Sequence, residues 1–214
     1  MADNDSRAGT RYTTPEILDL VNQVHTPHDA ALARAFAPPD GVPAIQVSPS
    51  DGRLVYALLR LARAKKVVEV GTLVGYSAIH MARALAPGGR LWTIEFDTYH
   101  AELARENLAV AGLDNVTVLV GRALDVLPTI VHEGPFDAVF IDADKLNYDR
   151  YARWAIDNLR RGGLVIGDNA YLFGELMENK ADARAMREFH KLVASTCDSV
   201  CAPTPDGMVV GIKR

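Results

Sequence analysis

Apolar positions along this chain fall into two alternating patterns. Val67-Val68-Glu69-Val70, Leu91-Trp92-Thr93-Ile94, Val116 to Val120, Ala138-Val139-Phe140-Ile141 and Leu164-Val165-Ile166 are short, nearly continuous apolar runs. Between them, residues 76–85, 99–111, 124–131 and 148–159 carry apolar residues at helical spacing. Strand-length runs that alternate with helices, each strand apolar on both sides, predict an α/β fold: a parallel sheet covered on both faces. Pro87-Gly88-Gly89 and Arg161-Gly162-Gly163 supply expected turns.

The two ends read differently. Thr13-Thr14-Pro15-Glu16 has the hydroxyl, Pro and acid of a helix start, and Ile17, Leu18, Val21 and Val24 give that helix an apolar stripe. Residues 37–43, with three prolines and a glycine, end it, and Ser48-Pro49 opens the next helix. A last helix over 181–195 leads to Ser199-Val200-Cys201, a Pro205-Asp206-Gly207 turn, and Met208 to Ile212. That pair of strands predicts an antiparallel hairpin at the sheet edge. The expected organisation is one domain: 1–12 disordered, 13–47 an N-terminal helix and lid, and 48–214 the core.

Composition narrows the function classes. The chain is 49% hydrophobic and 23% charged, ordinary for a globular protein with a core. A net charge of −4 argues against nucleic acid as a partner. The basic cluster Arg60, Arg63, Lys65, Lys66 reads as a solvated helix end. No apolar run is long enough for a membrane span, and Met1 to Arg11 holds no signal core, so a cytoplasmic location is expected. Cys197 and Cys201 fit that compartment as free thiols. His25 and His28 are expected at the surface, and His80 packed inside.

Candidate chemistry sits at the ends of the predicted strands, where open α/β sheets bind ligands. The first strand runs into Glu69-Val70-Gly71-Thr72-Leu73-Val74-Gly75-Tyr76-Ser77. This loop lacks the G-x-G-x-x-G spacing of a dinucleotide site. It also places Glu69 at its entrance, where a carboxylate repels a pyrophosphate but suits the amino and sulfonium charges of S-adenosylmethionine. Glu95 ends the second strand, where an acid can accept hydrogen bonds from ribose hydroxyls. Asp142 ends the fourth strand, and Asp168 with Asn169 the fifth. Two carboxylates and an amide, without Cys or His, match a hard cation such as Mg²⁺. Lys145 lies three residues past Asp142, where a neighbouring cation disfavours its protonated form and suits it to act as a base.

Taken in order, the segment 69–77, Asp142-Ala143-Asp144-Lys145 with Tyr148, and Gly167-Asp168-Asn169 resemble the cation-dependent class I O-methyltransferases, the family of catechol and caffeoyl-CoA O-methyltransferases. The resemblance runs from Gln46-Val47-Ser48-Pro49 to Asp206-Gly207. It implies a Rossmann-like fold, a seven-stranded, mostly parallel sheet with an antiparallel C-terminal edge strand, and a homodimer. It assigns Glu69, Gly71, Thr72 and Ser77 to the S-adenosylmethionine pocket, together with Glu95, Phe96, Ala123 and Asp142, and Val47 through its backbone. Asp142, Asp168 and Asn169 become metal ligands for Mg²⁺ or a similar cation, and Lys145 the base. Family members often carry Val-Leu-Trp after the Asp-Asn pair, whereas this chain has Ala170-Tyr171-Leu172 and then Phe173-Gly174 in a segment that walls the substrate site. The first 45 residues match the family little, so a coenzyme-A thioester is not supported and a free catechol is the simpler acceptor.

The expected reaction is methyl transfer from S-adenosylmethionine to a hydroxyl of a small vicinal diphenol. The alternatives are methyl transfer to another small acceptor and, in a different class, a non-catalytic, cofactor-binding dimeric scaffold. The set Asp142, Lys145, Asp168 and Asn169 argues against the scaffold, which has no use for it.

Overall fold

The computed structural model describes residues 14–214, so the expectation for residues 1–12 lies outside the described residues. The elements, in chain order, are α1 (Pro15–His25), α2 (Ala30–Phe36), α3 (Pro49–Ala62), β1 (Lys66–Val70), α4 (Tyr76–Ala84), β2 (Arg90–Glu95), α5 (Thr98–Val110) and β3 (Val116–Val120). They continue as α6 (Ala123–Val126), β4 (Phe136–Ile141), α7 (Tyr148–Asn158), β5 (Leu159–Gly167), α8 (Ala181–Thr196), β6 (Cys197–Ala202) and β7 (Met208–Lys213).

Seven strands form one sheet in the order β3-β2-β1-β4-β5-β7-β6. β1 pairs in parallel with both β2 and β4, and β4 in parallel with β5. The strands are apolar on both sides because both sides are covered. Val68, Trp92, Val139 and Ile141 pack with Tyr148, Tyr151 and Phe189 on one face. Val67, Leu91, Phe140 and Ile166 pack with Val55, Leu59 and Ile79 on the other. The order reverses at β1, and the crevice beyond its carboxyl end is where such a sheet receives ligands.

Four details depart from the sequence reading. The N-terminal helix is two helices, because Pro27 cannot continue the first and Asp29 caps the second by accepting from Leu32 N at 3.0 Å. The apolar stripe of α1 stays largely exposed, and none of the helix's residues is buried among the described residues. The antiparallel strand β7 is not the edge, since it lies between β5 and β6. The expected turn at 161–163 is instead a bulge within β5: Phe136 pairs with Leu159 but Ala138 with Leu164. Asp137 stands opposite the bulge and accepts from Arg160 Nε at 2.6 Å and from the Lys65 and Lys66 amides, which holds the two strand starts together. Both cysteines are free thiols. No helix among the described residues is long and apolar enough to cross a membrane.

Candidate active site

A cleft of about 1050 Å³ opens over the carboxyl ends of β1, β2, β4 and β5. Val47, Gly71, Thr72, Ser77, Glu95, Phe96, Ala123, Asp142, Lys145, Asp168 and Asn169 all line it. Of the residues expected there, only Glu69 does not.

The loop after β1 is shaped by a close approach. Gly71 has φ +99°, and a Cβ on it would lie 1.9 Å from the Asp142 carbonyl oxygen, so only glycine lets the loop pass the end of β4. Glu95 Oε2 accepts from Thr72 N at 3.2 Å and Leu73 N at 2.7 Å, which ties this loop to β2. Its other oxygen accepts from Asp97 N at 3.0 Å. Glu95 therefore organises the loop as well as facing the cleft, and each carboxylate oxygen has two lone pairs, so Oε1 keeps acceptor capacity for a ligand hydroxyl.

Glu69 corrects the sequence reading. It is fully buried and lies behind the loop instead of at its entrance. Ser77 Oγ and Thr93 Oγ1 both donate to it, the latter at 2.5 Å. Burial pushes its carboxyl up to about 8, against the opposing effect of these two bonds. The group that reaches the cleft is Ser77, in the first turn of α4, where free amides and the positive end of the helix dipole suit a ligand carboxylate.

Asp142, Lys145, Asp168 and Asn169 line the other end of the cleft. Lys145 Nζ donates to Asp142 Oδ1 at 3.1 Å and to Tyr148 Oη at 2.8 Å. Tyr148 is completely buried and shares its phenol proton between the carbonyls of Asp168, at 2.9 Å, and Ile141, at 3.1 Å. One buried tyrosine thus connects the lysine to the backbone at both strand ends. Asn169 adopts a left-handed φ of 51°, a conformation asparagine tolerates better than most residues. Asp168 is buried, and its Oδ1 has no hydrogen-bond partner among the described residues. Burial and then the charge of Asp142 push its carboxyl up to about 7. A buried carboxylate oxygen without a partner, near enough to Asp142 to feel its charge and sharing the cleft with Asn169, belongs to a donor set that a hard divalent cation would complete.

Several further residues complete the lining. Tyr76 is buried, with its hydroxyl 2.8 Å from His28 Nε2, so His28 is not a free surface residue. Arg122 lies 5.7 Å from the Phe96 ring centroid across the β2 end of the cleft. In the segment after Asn169 only Phe173 faces the cleft, whereas Leu172 is buried and Ala170 N and Tyr171 N donate to the Gly207 and Asp206 carbonyls. The segment 37–47 contributes Pro43, Ile45, Gln46 and Val47, and Gln46 Nε2 holds it to the end of α2 through the Phe36 carbonyl at 3.0 Å. Amide hydrogen exchange at residues 41–47 is expected to slow when both ligands bind, because few backbone bonds fix this segment otherwise. Equal exchange with and without ligands would show that it does not act as a lid.

Residues 30–213 match the family model described as O-methyltransferase. A catechol O-methyltransferase of Mycobacterium tuberculosis is 43% identical over 212 residues, covering 94% of this chain and 96% of that protein. A catechol O-methyltransferase of Niastella koreensis is 40% identical over 177 residues, covering 81% of this chain and 80% of that protein. Among solved structures, the O-methyltransferase from Bacillus cereus in complex with SAH superposes with a TM-score of 0.85 at 35% identity, covering 92% of this chain and 96% of that one.

Proposed function

The chain belongs to the class I S-adenosylmethionine-dependent O-methyltransferases, and from that premise we propose that its acceptor is a small catechol held over a divalent cation. The observation that carries this reading is the orphaned Oδ1 of Asp168 beside Asp142, Asn169 and Lys145 in one cleft. Asp142, Asp168 and Asn169 would hold Mg²⁺ or a similar cation, which lowers the pKa of a hydroxyl bound to it and orients the substrate.

The chain's own residues do the rest. Ser77 and the first turn of α4 receive the methionine end of S-adenosylmethionine, with Val47 opposite through its backbone. Glu95 and Phe96 receive the ribose and adenine side, with Ala123 beyond them. Gly71 lets the sulfonium approach the Asp142 end of the sheet. Lys145, held between Asp142 and Tyr148, takes the proton of the reacting hydroxyl at Nζ. The oxygen then forms its bond to the methyl carbon as the carbon–sulfur bond breaks, and S-adenosylhomocysteine leaves. Opposite charges cancel in this transfer, so closure of residues 43–47 and Phe173 over the bound substrates would favour it. Positioning the two substrates in a near-attack pose is the protein's largest contribution.

A homodimer is part of the same reading, supported by the exposed apolar stripe of Ile17, Leu20, Val21 and Val24 on α1. Turnover against a panel of vicinal diphenols, matched monophenols and small amines tests the acceptor class. Methylation of the diphenols, at least tenfold faster than of monophenols of equal acidity, is the expected result. Equal rates on the two would remove the chelated diol from the account.

A further inference from the structure

Away from the cleft, a second cavity of about 110 Å³ lies where the corner between α1 and α2 meets α3 and α4. Thr26, Pro27 and Leu32 wall it on one side, and Arg53, His80 and Arg83 on the other. Two guanidiniums from different helices therefore flank one small space. Arg53 forms no ion pair among the described residues, and its guanidinium rests 4.3 Å over the Tyr56 ring. Arg83 keeps one acidic contact, to Asp29 at 2.8 Å. Asp29 caps α2 and is not part of the cavity wall, so its charge offsets Arg83 from outside while Arg53 has no such acid among the described residues. A guanidinium has five donors, and one ion pair leaves others free.

The floor is His80. It is 5% exposed, and its Nε2 has no hydrogen-bond partner among the described residues. Burial, with the positive influence of His28, Arg53 and Arg83, lowers it to about 4, so the ring is neutral. Its Cδ2–Nε2 edge lies against Gly52, and the neutral ring brings no counter-charge to the two guanidiniums beside it. Because Arg53 and His25 at the rim are exposed, the cavity can take a headgroup whose remainder projects outward.

We propose that this cavity is a binding site for a small oxyanion, a free phosphate or the phosphate of a monoester, held between Arg53 and Arg83 above the His80 ring. Arginine forks match such oxygens in geometry and charge. The anion would join the α1–α2 corner to α3 and α4. The site lies one ring away from the cofactor cleft: Tyr76 meets His80 edge-on at 5.0 Å and lines that cleft.

The test is a phosphate titration of the full chain, read by thermal stability, with S-adenosylhomocysteine saturating so that the main cleft is filled. Chloride at matched ionic strength is the control. Phosphate should stabilise saturably, and Arg53→Gln should weaken its apparent affinity about tenfold or more, since a charged hydrogen bond is lost. Arg53 is exposed, so this variant keeps its fold; Arg83→Gln should weaken binding independently. Glycerol phosphate matching inorganic phosphate identifies a monoester head, and its failure identifies the free ion. Phosphate that stabilises Arg53→Gln as much as wild type, or no better than chloride, overturns the proposal.

Discussion

Excess chelator is expected to abolish turnover of the wild-type protein, and Asp168→Asn to abolish it at any metal concentration. Asp168 carries a buried carboxylate oxygen with no hydrogen-bond partner among the described residues. Loss of one such ligand typically costs far more than the 10–100-fold seen for outer-shell partners of a metal site. The variant also separates a ligand role from a structural one. A carboxylate buried without compensation costs stability, so the neutral amide should leave the metal-free protein at least as stable as wild type. Wild type should gain thermal stability as Mg²⁺ is added, because a ligand that binds the folded state stabilises it. The variant should gain little or nothing. Full wild-type turnover in chelator, with metal content confirmed as nil, would sink the cation-bound acceptor.

The strand ends were legible in the sequence because a doubly covered parallel sheet leaves an unusually plain pattern. Residues 67–70, 91–94 and 138–141 are apolar apart from Glu69 and Thr93, and an acid that follows or interrupts such a run stands out. Glu95, Asp142 and Asp168 were found that way, and the cleft contains all three. Glu69 stood out by the same rule, but spacing cannot show depth. Two hydroxyls, Ser77 and Thr93, come from different elements to satisfy it, and only the fold brings them together. The break at Thr26-Pro27 carried a clear signal in Pro27, yet the helical spacing on either side masked it. The hairpin was read correctly as two strands, but the insertion of β7 between β5 and β6 depends on pairing across the sheet, which local pattern does not encode. Tyr76 had no polar signature at all. Its place in the cleft wall follows from α4 starting directly under the glycine loop.

Lys145→Ala is expected to lower kcat by roughly 10²-fold while leaving the affinity for S-adenosylhomocysteine nearly unchanged. Proton transfer by a positioned side chain is worth about 10²–10⁴ in rate, and a cation that already acidifies the hydroxyl places this case toward the lower end. The position supports the role. Nζ is fixed by two short contacts, to Asp142 at 3.1 Å and Tyr148 at 2.8 Å, at the point where β4 opens into the cleft. The same contacts raise a competing explanation, in which Lys145 only holds Asp142 in place. The acidity of the acceptor distinguishes the two. A nitrocatechol arrives already ionised near neutral pH and needs no base, so the variant should lose little on it. An unsubstituted catechol needs its proton removed and should suffer the full loss. If Lys145 only positions Asp142, both acceptors lose the same factor. The ratio of the two losses, measured at saturating S-adenosylmethionine and metal, therefore reports the proton transfer itself. A ratio near one would assign Lys145 to positioning and leave deprotonation to the cation and solvent.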